Sequence, residues 1–169
     1  MTEIDSDVYS ENIWLVGDYL YYEKNQEDGT ELWCYSLAEQ SKEQIGWDIA
    51  GVILDTYAVS QDGQRVLFSD DDTVCIYDAA ENRRQELMTD AEAIYCNQEL
   101  SEVVCMTDEE QAYRITLDGA NITANELIYQ ADNEEEYIYY ANSNVIITFK
   151  YSSDDATVYR NGDIKQLTV

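Results

Sequence analysis

A strand-rich unit recurs four times along this chain, and that recurrence limits the fold more than any other feature. Tyr35, Tyr77, Ile115 and Tyr159 occupy matching places in successive units, 42, 38 and 44 residues apart. Around each, short runs rich in Tyr, Val, Ile and Trp are bounded by clusters of Asp, Asn, Gly and Ser, and no stretch sustains the 3.6-residue apolar stripe of an amphipathic helix. Each unit reads as four strands. Strand a (13–16, 57–60, 94–97 and 139–142) meets strand b (19–23, 65–69, 102–107 and 145–150) through tight turns such as Gly17-Asp18 and Gln61-Asp62-Gly63-Gln64, where glycine accepts the positive φ that a hairpin turn demands. Strand c carries the recurring Tyr or Ile, and a strand d such as 85–88 or 164–169 closes the unit.

Four antiparallel strands in about 40 residues is the size of one propeller blade. The expectation is a single all-β domain over 1–169: a β-propeller or partial propeller of four four-stranded antiparallel blades at 13–51, 52–90, 91–133 and 134–169, preceded by an acidic leader, 1–12, able to add a closing strand to the last blade. A β-sandwich also sets short strands at even spacing and is the alternative. Propellers close with four to eight blades. The expected outcomes are therefore a closed four-bladed ring, a homodimer forming an eight-bladed ring, or a segment completed by flanking blades. An open arc would leave flat apolar sheet faces, which ordinarily mark interfaces.

Two stretches carry a resemblance. Gly17-Asp18-Tyr19-Leu20-Tyr21-Tyr22, and Ala112-Tyr113-Arg114-Ile115 followed by Leu117-Asp118-Gly119, resemble the repeat of bacterial propellers related to the low-density-lipoprotein-receptor-related and TolB-like groups. The pattern there is Gly-Asp-x-aliphatic-Tyr-Tyr, an acidic turn, then aliphatic-Tyr-Arg-Ile and often an Asp-Gly turn. The resemblance spans most of the chain, although the Gly-Asp is missing or displaced in the second and fourth units. It implies a scaffold-type domain of a bacterial envelope or secreted protein and does not narrow the ligand.

Composition removes whole classes of chemistry. There is no His, so Ser-His-Asp and Cys-His pairs and histidine-rich metal sites cannot be built. With 36 Asp and Glu against 9 Lys and Arg, the formal charge is −27, which opposes binding to nucleic acid or anionic lipid. No apolar run of about 18 residues occurs, so no membrane insertion by a helix is expected. Cys34, Cys75, Cys96 and Cys105 each lie in an apolar run and read as free core thiols, Cys96 and Cys105 being diagonal neighbours on one hairpin.

In a blade the b–c and d–a connections share one face of the disc, and this sorts the acids. The b–c loops carry Asp28, then Asp70, Asp71 and Asp72, then Asp108, Glu109 and Glu110, then Asp154 and Asp155. The d–a links add Asp90, Glu92, Asp132 and Glu134–Glu136 to the same rim. Most bases, Lys42, Arg65, Arg83, Arg84, Arg160 and Lys165, are expected on the opposite face. Trp47, after Gly46 at the end of the first unit, is placed to reach the acidic face.

The expected function is a non-enzymatic interaction module whose acidic face binds a protein, a basic peptide or a cation, since like charges held together focus the field. A hydrolase or lyase using rim carboxylates, or a passive spacer domain, are the alternatives. Asp70–Asp72 offers hard oxygen ligands suited to calcium, but the twelve-residue loop with a terminal Glu is missing, so no cofactor is expected.

Overall fold

The computed structural model describes residues 4–6, 8–27, 29–47, 59–131, 136–142, 144–160 and 163–167. They form four antiparallel sheets, each a meander of consecutive strands. Blade 1 is β1 (Val8–Val16), β2 (Tyr19–Gln26), β3 (Gly29–Ser36) and β4 (Ser41–Gly46). Blade 2 is β5 (Arg65–Asp70), β6 (Thr73–Asp78) and β7 (Arg83–Thr89); blade 3 is β8 (Ala91–Cys96), β9 (Glu102–Thr107), β10 (Gln111–Asp118) and β11 (Asn121–Gln130). Blade 4 is β12 (Glu136–Ala141), β13 (Val145–Lys150), β14 (Ser153–Arg160) and β15 (Asp163–Leu167).

Successive side chains of a strand point to opposite faces, so an inner blade must be apolar on both sides. Blade 2 is. Val66, Phe68, Cys75 and Tyr77 pack with Tyr21, Leu32, Cys34 and Ile45 of blade 1, while Leu67, Val74, Ile76 and Leu87 pack with Leu100, Val103, Cys105 and Ile115 of blade 3. A third cluster joins Val104 and Ala112 of blade 3 to Ile138, Ala141 and Ile146 of blade 4. There is one apolar seam per adjacent pair of sheets, and among the described residues no strand pairing or core cluster joins the first sheet to the fourth.

The a–b turns knit the seams at one end. Gly63 sits in the left-handed region (φ 75°), and a Cβ there would lie 2.3 Å from the Val16 carbonyl oxygen of blade 1. The buried Tyr21 hydroxyl donates to the Gly63 carbonyl at 2.8 Å. Gln61 N–H donates in turn to the Gln98 carbonyl of blade 3 at 2.9 Å.

In blade 2 the expected first strand, 57–60, falls partly outside the described residues; among those described the sheet shows three strands, with Val59 bridged to Val66. Two features depart from the sequence expectation. Among the described residues the leader adds no strand to the last blade: residues 8–12 run into β1 and Val8 pairs with Lys24, because a strand already paired to β2 extends most cheaply along the same partner. Finally, the β13–β14 turn is Tyr151-Ser152, so Asp154 and Asp155 belong to β14 and not to a loop. The four cysteines are free, with Cys96 opposite Val103 and Cys105 opposite Ala93, a diagonal pair. Burial pushes the Cys105 thiol up to about 12.

Candidate functional site: an acidic cleft between blades 2 and 3

The b–c turns of blades 2 and 3 and the link between those blades meet at an open cleft of about 450 Å³. Asp72 comes from the β5–β6 turn, Asp90 and Glu92 from the β7–β8 link and the start of β8, and Asp108 and Glu110 from the β9–β10 turn. Ala91, Met106 and Thr107 complete the lining. The local backbone is made by tight turns: Asp71, Asp90 and Glu110 all have φ between 50° and 55°, the left-handed region that Asp tolerates better than most residues. Ala91 N–H donates to the Asp72 carbonyl at 3.2 Å and fixes the link against the turn. Thr107 Oγ1 is buried in the wall with no hydrogen-bond partner. Five carboxyl groups therefore share one cavity mouth, as the common placement of b–c and d–a connections requires. Among the described residues no three metal-ligating side chains converge as an ion would need.

The residues singled out from the sequence divide accordingly. Asp72, Asp108 and Glu110 line the cleft, while Asp71 and Glu109 are exposed in the same turns. Glu110 is also structural, since its Oε2 accepts the Ile138 N–H of blade 4 at 2.8 Å. Asp70, at the end of β5, is paired with Arg84 at 2.6 Å. Asp28 lies outside the described residues, as does the Asp154 side chain, and Asp155 is exposed on β14. The sequence reading underweighted Asp90 and Glu92, whose link position was the available signal, and missed Thr107, for which there was none.

Trp47 lies at a different cleft, of about 310 Å³, with Glu43, Tyr77, Asn82 and Arg84 between blades 1 and 2. Arg84 is the centre of that seam. Besides Asp70, its guanidinium donates to the Cys75 sulfur at 3.4 Å and to the Ile45 carbonyl of blade 1 at 3.4 Å, and it lies over the Phe68 ring.

The bases divide: Arg65 pairs with Asp62 of an a–b turn and Arg83 donates to Asn121 at a c–d turn, on the face opposite the acids, whereas Arg84 and Lys42 leave that face. Arg84 reaches back to Asp70, and Lys42 turns onto the outer flank of blade 1. The cause is register: β2 and β4 flank β3, so Lys24 and Lys42 are brought to either side of Trp33, each ammonium 5.5 and 5.3 Å respectively from the ring centre. Asp5 of the leader neutralises both, at 3.1 and 2.9 Å, and accepts the Tyr22 hydroxyl at 2.9 Å. Burial alone would raise the Asp5 carboxyl, but hydrogen bonds from Lys42, Tyr22 and Lys24 outweigh it and hold the group well below the usual carboxylate range. Asp62 is likewise lowered, chiefly by the Ser60 hydroxyl that donates to it at 2.6 Å.

No protein-family model matches the chain, and no curated protein matches it. Solved structures do. Hsv2 of Kluyveromyces lactis superimposes with a TM-score of 0.58 at 10% identity, covering 96% of this chain and 52% of that one. The β-propeller domain of the Trilobed protease from Pyrococcus furiosus, described as having an open velcro topology, gives 0.56 at 9% identity over 97% and 58%. An oligogalacturonate lyase in complex with manganese gives 0.53 at 15% identity over 91% and 52%. The chain thus spans 52–58% of the length of these structures. At such identities the likeness shows fold alone, and the fold is that of a β-propeller, with four blade-like sheets and no closed ring among the described residues.

Proposed function

We propose that this chain is a non-enzymatic interaction module that engages a basic protein or peptide at the acidic rim between blades 2 and 3. The observation that carries the reading is the cleft itself, where Asp72, Asp90, Glu92, Asp108 and Glu110 from three connections of two blades surround one opening. Its mouth suits the head of a Lys or Arg side chain, and Met106 and Ala91 offer apolar surface to the methylene stem. The reading involves no cofactor. Asp5 and Asp62 are held below the ordinary carboxylate range, away from the raised value a general acid needs. Kinship with the low-density-lipoprotein-receptor-related or TolB-like groups, an envelope or secreted bacterial setting, and completion of the ring by flanking blades or a second copy belong to the same reading.

Calorimetric titration of the chain with a Lys/Arg-rich peptide tests it. Saturable binding is expected, weakening as salt rises and falling at least about tenfold in the triple variant Asp90→Asn, Glu92→Gln, Asp108→Asn. Glu126→Gln on β11, outside the cleft, should leave affinity unchanged. Absence of saturable binding, or equal loss in the Glu126 control, defeats the proposal in favour of a spacer or of unspecific charge attraction.

A further inference from the structure

Among the described residues, nothing packs over one sheet face of blade 4. Ile147 on β13 stands opposite Val158 on β14, one place before the recurring Tyr159. The same register position is held by Tyr21, Leu67 and Val104 in the first three blades, where each is 0–6% exposed beneath the next sheet. On blade 4 no further sheet follows among the described residues, and the face carries aromatic rings instead. Tyr137 stacks on Phe149 with centroids 6.1 Å apart, Tyr151 meets Tyr137 at 4.6 Å, and Tyr139 meets Phe149 edge-on at 5.3 Å. Tyr139 and Tyr151 are nevertheless 69% and 71% exposed.

The complementary face is at the other end of the arc. Ile13 and Leu15 of β1 stand opposite Tyr22 and Leu20, on the side of blade 1 away from blade 2, and are 45% and 63% exposed. Asp5 and the two lysines cover Tyr22 and Trp33 on that flank and leave the β1 side open. The aromatic patch of blade 4 likewise centres on its own first strands, β12 and β13. Two copies of a chain that spans 52–58% of known propellers supply the length of one ring.

From this match we infer that the uncovered flank of blade 4 docks on the β1 flank of blade 1 of a second copy, head to tail, so that two chains close an eight-bladed ring. The inference rests on the partial-ring part of the reading above and is independent of the acidic rim. Each contact repeats the sheet-on-sheet packing of the internal seams, and the two-fold axis makes the two contacts identical.

Light scattering on the 169-residue chain, in about 1 M NaCl where the Debye length is about 3 Å and mutual repulsion is suppressed, should give twice the 19.5 kDa chain mass. Leu15→Glu, and separately Tyr139→Glu with Tyr151→Glu, should each weaken the dimer by at least about 100-fold, since each buries an unpaired charge in both contacts. All three positions are more than half exposed in the single chain, which preserves its fold. An equimolar mixture of the two variants should recover dimer, because one contact then joins two unaltered faces. A dimer indifferent to Leu15→Glu overturns the head-to-tail assignment, and a monomeric wild-type chain overturns the second copy. If tetranitromethane still modifies Tyr139 and Tyr151 in that monomer, the partial ring stands without this partner. Protection of both would end the partial ring as well.

Discussion

Asp5 shows how much one residue can hold. It draws two ammonium groups and a phenol onto the flank of blade 1, and in doing so it keeps Tyr22 and Trp33 covered without another sheet. Its carboxyl is lowered in the folded chain, whereas in the unfolded chain it titrates near about 3.9. A lowered folded pKa means that the stabilisation is complete above the unfolded value and is lost as pH falls through the folded one. Asp5→Asn should therefore cost about 1–2 kcal/mol at pH 7, in the range of a part-buried charged hydrogen-bond network. The gap between wild type and variant should narrow steadily below about pH 4. Urea unfolding of both proteins across that range measures it. A gap that does not change with pH would mean that the aspartate acts by shape alone.

At the scale of elements, the seam between blades 1 and 2 depends on a turn that has no room for a side chain. Gly63→Ala would place a methyl group 2.3 Å from the Val16 carbonyl oxygen, in a backbone region that L-residues rarely enter, and would push away the carbonyl that accepts Tyr21. A loss of about 2–4 kcal/mol is expected, read as a lower urea midpoint with an unchanged slope. A change below about 0.5 kcal/mol would show that the turn moves freely relative to blade 1. Gln61-Asp62-Gly63-Gln64 was legible as this turn, and β9 and β13 begin and end where their apolar runs place them: β9 has a continuous buried run, and β13 alternates buried and half-buried positions. Asp154 and Asp155 misled because consecutive carboxylates look like a loop, yet here they sit within β14 at a register irregularity between the Lys150–Ser153 and Phe149–Ala156 pairs. The shared cleft was legible in part, because propeller topology alone sends Asp72, Asp90 and Asp108 to one rim. The Asp5 cluster was not, since it joins residues 5, 22, 24 and 42 through a cross-sheet register that no local run of sequence encodes.

Across the whole molecule the balance of charge works against compaction. Ion pairs such as Arg84–Asp70 and Lys42–Asp5 form, but 36 acidic groups share the chain with 9 bases, so most carboxylates have no basic group to pair with. Such self-repulsion raises the free energy of the compact state relative to the unfolded chain, and mobile ions reduce it over distances beyond the Debye length. The surface pairs that salt also weakens are worth at most about 1 kcal/mol each, too little to reverse the sign. The thermal midpoint should therefore rise by about 3–8 °C between about 0.02 M and 0.5 M NaCl, and choline chloride should act equally, because screening depends on ionic strength and not on the cation's identity. A rise with calcium far below those concentrations would instead mean that a specific cation site on the acidic rim dominates. A midpoint falling with salt would mean that attractive pairs outweigh the repulsion, contrary to the charge arrangement described.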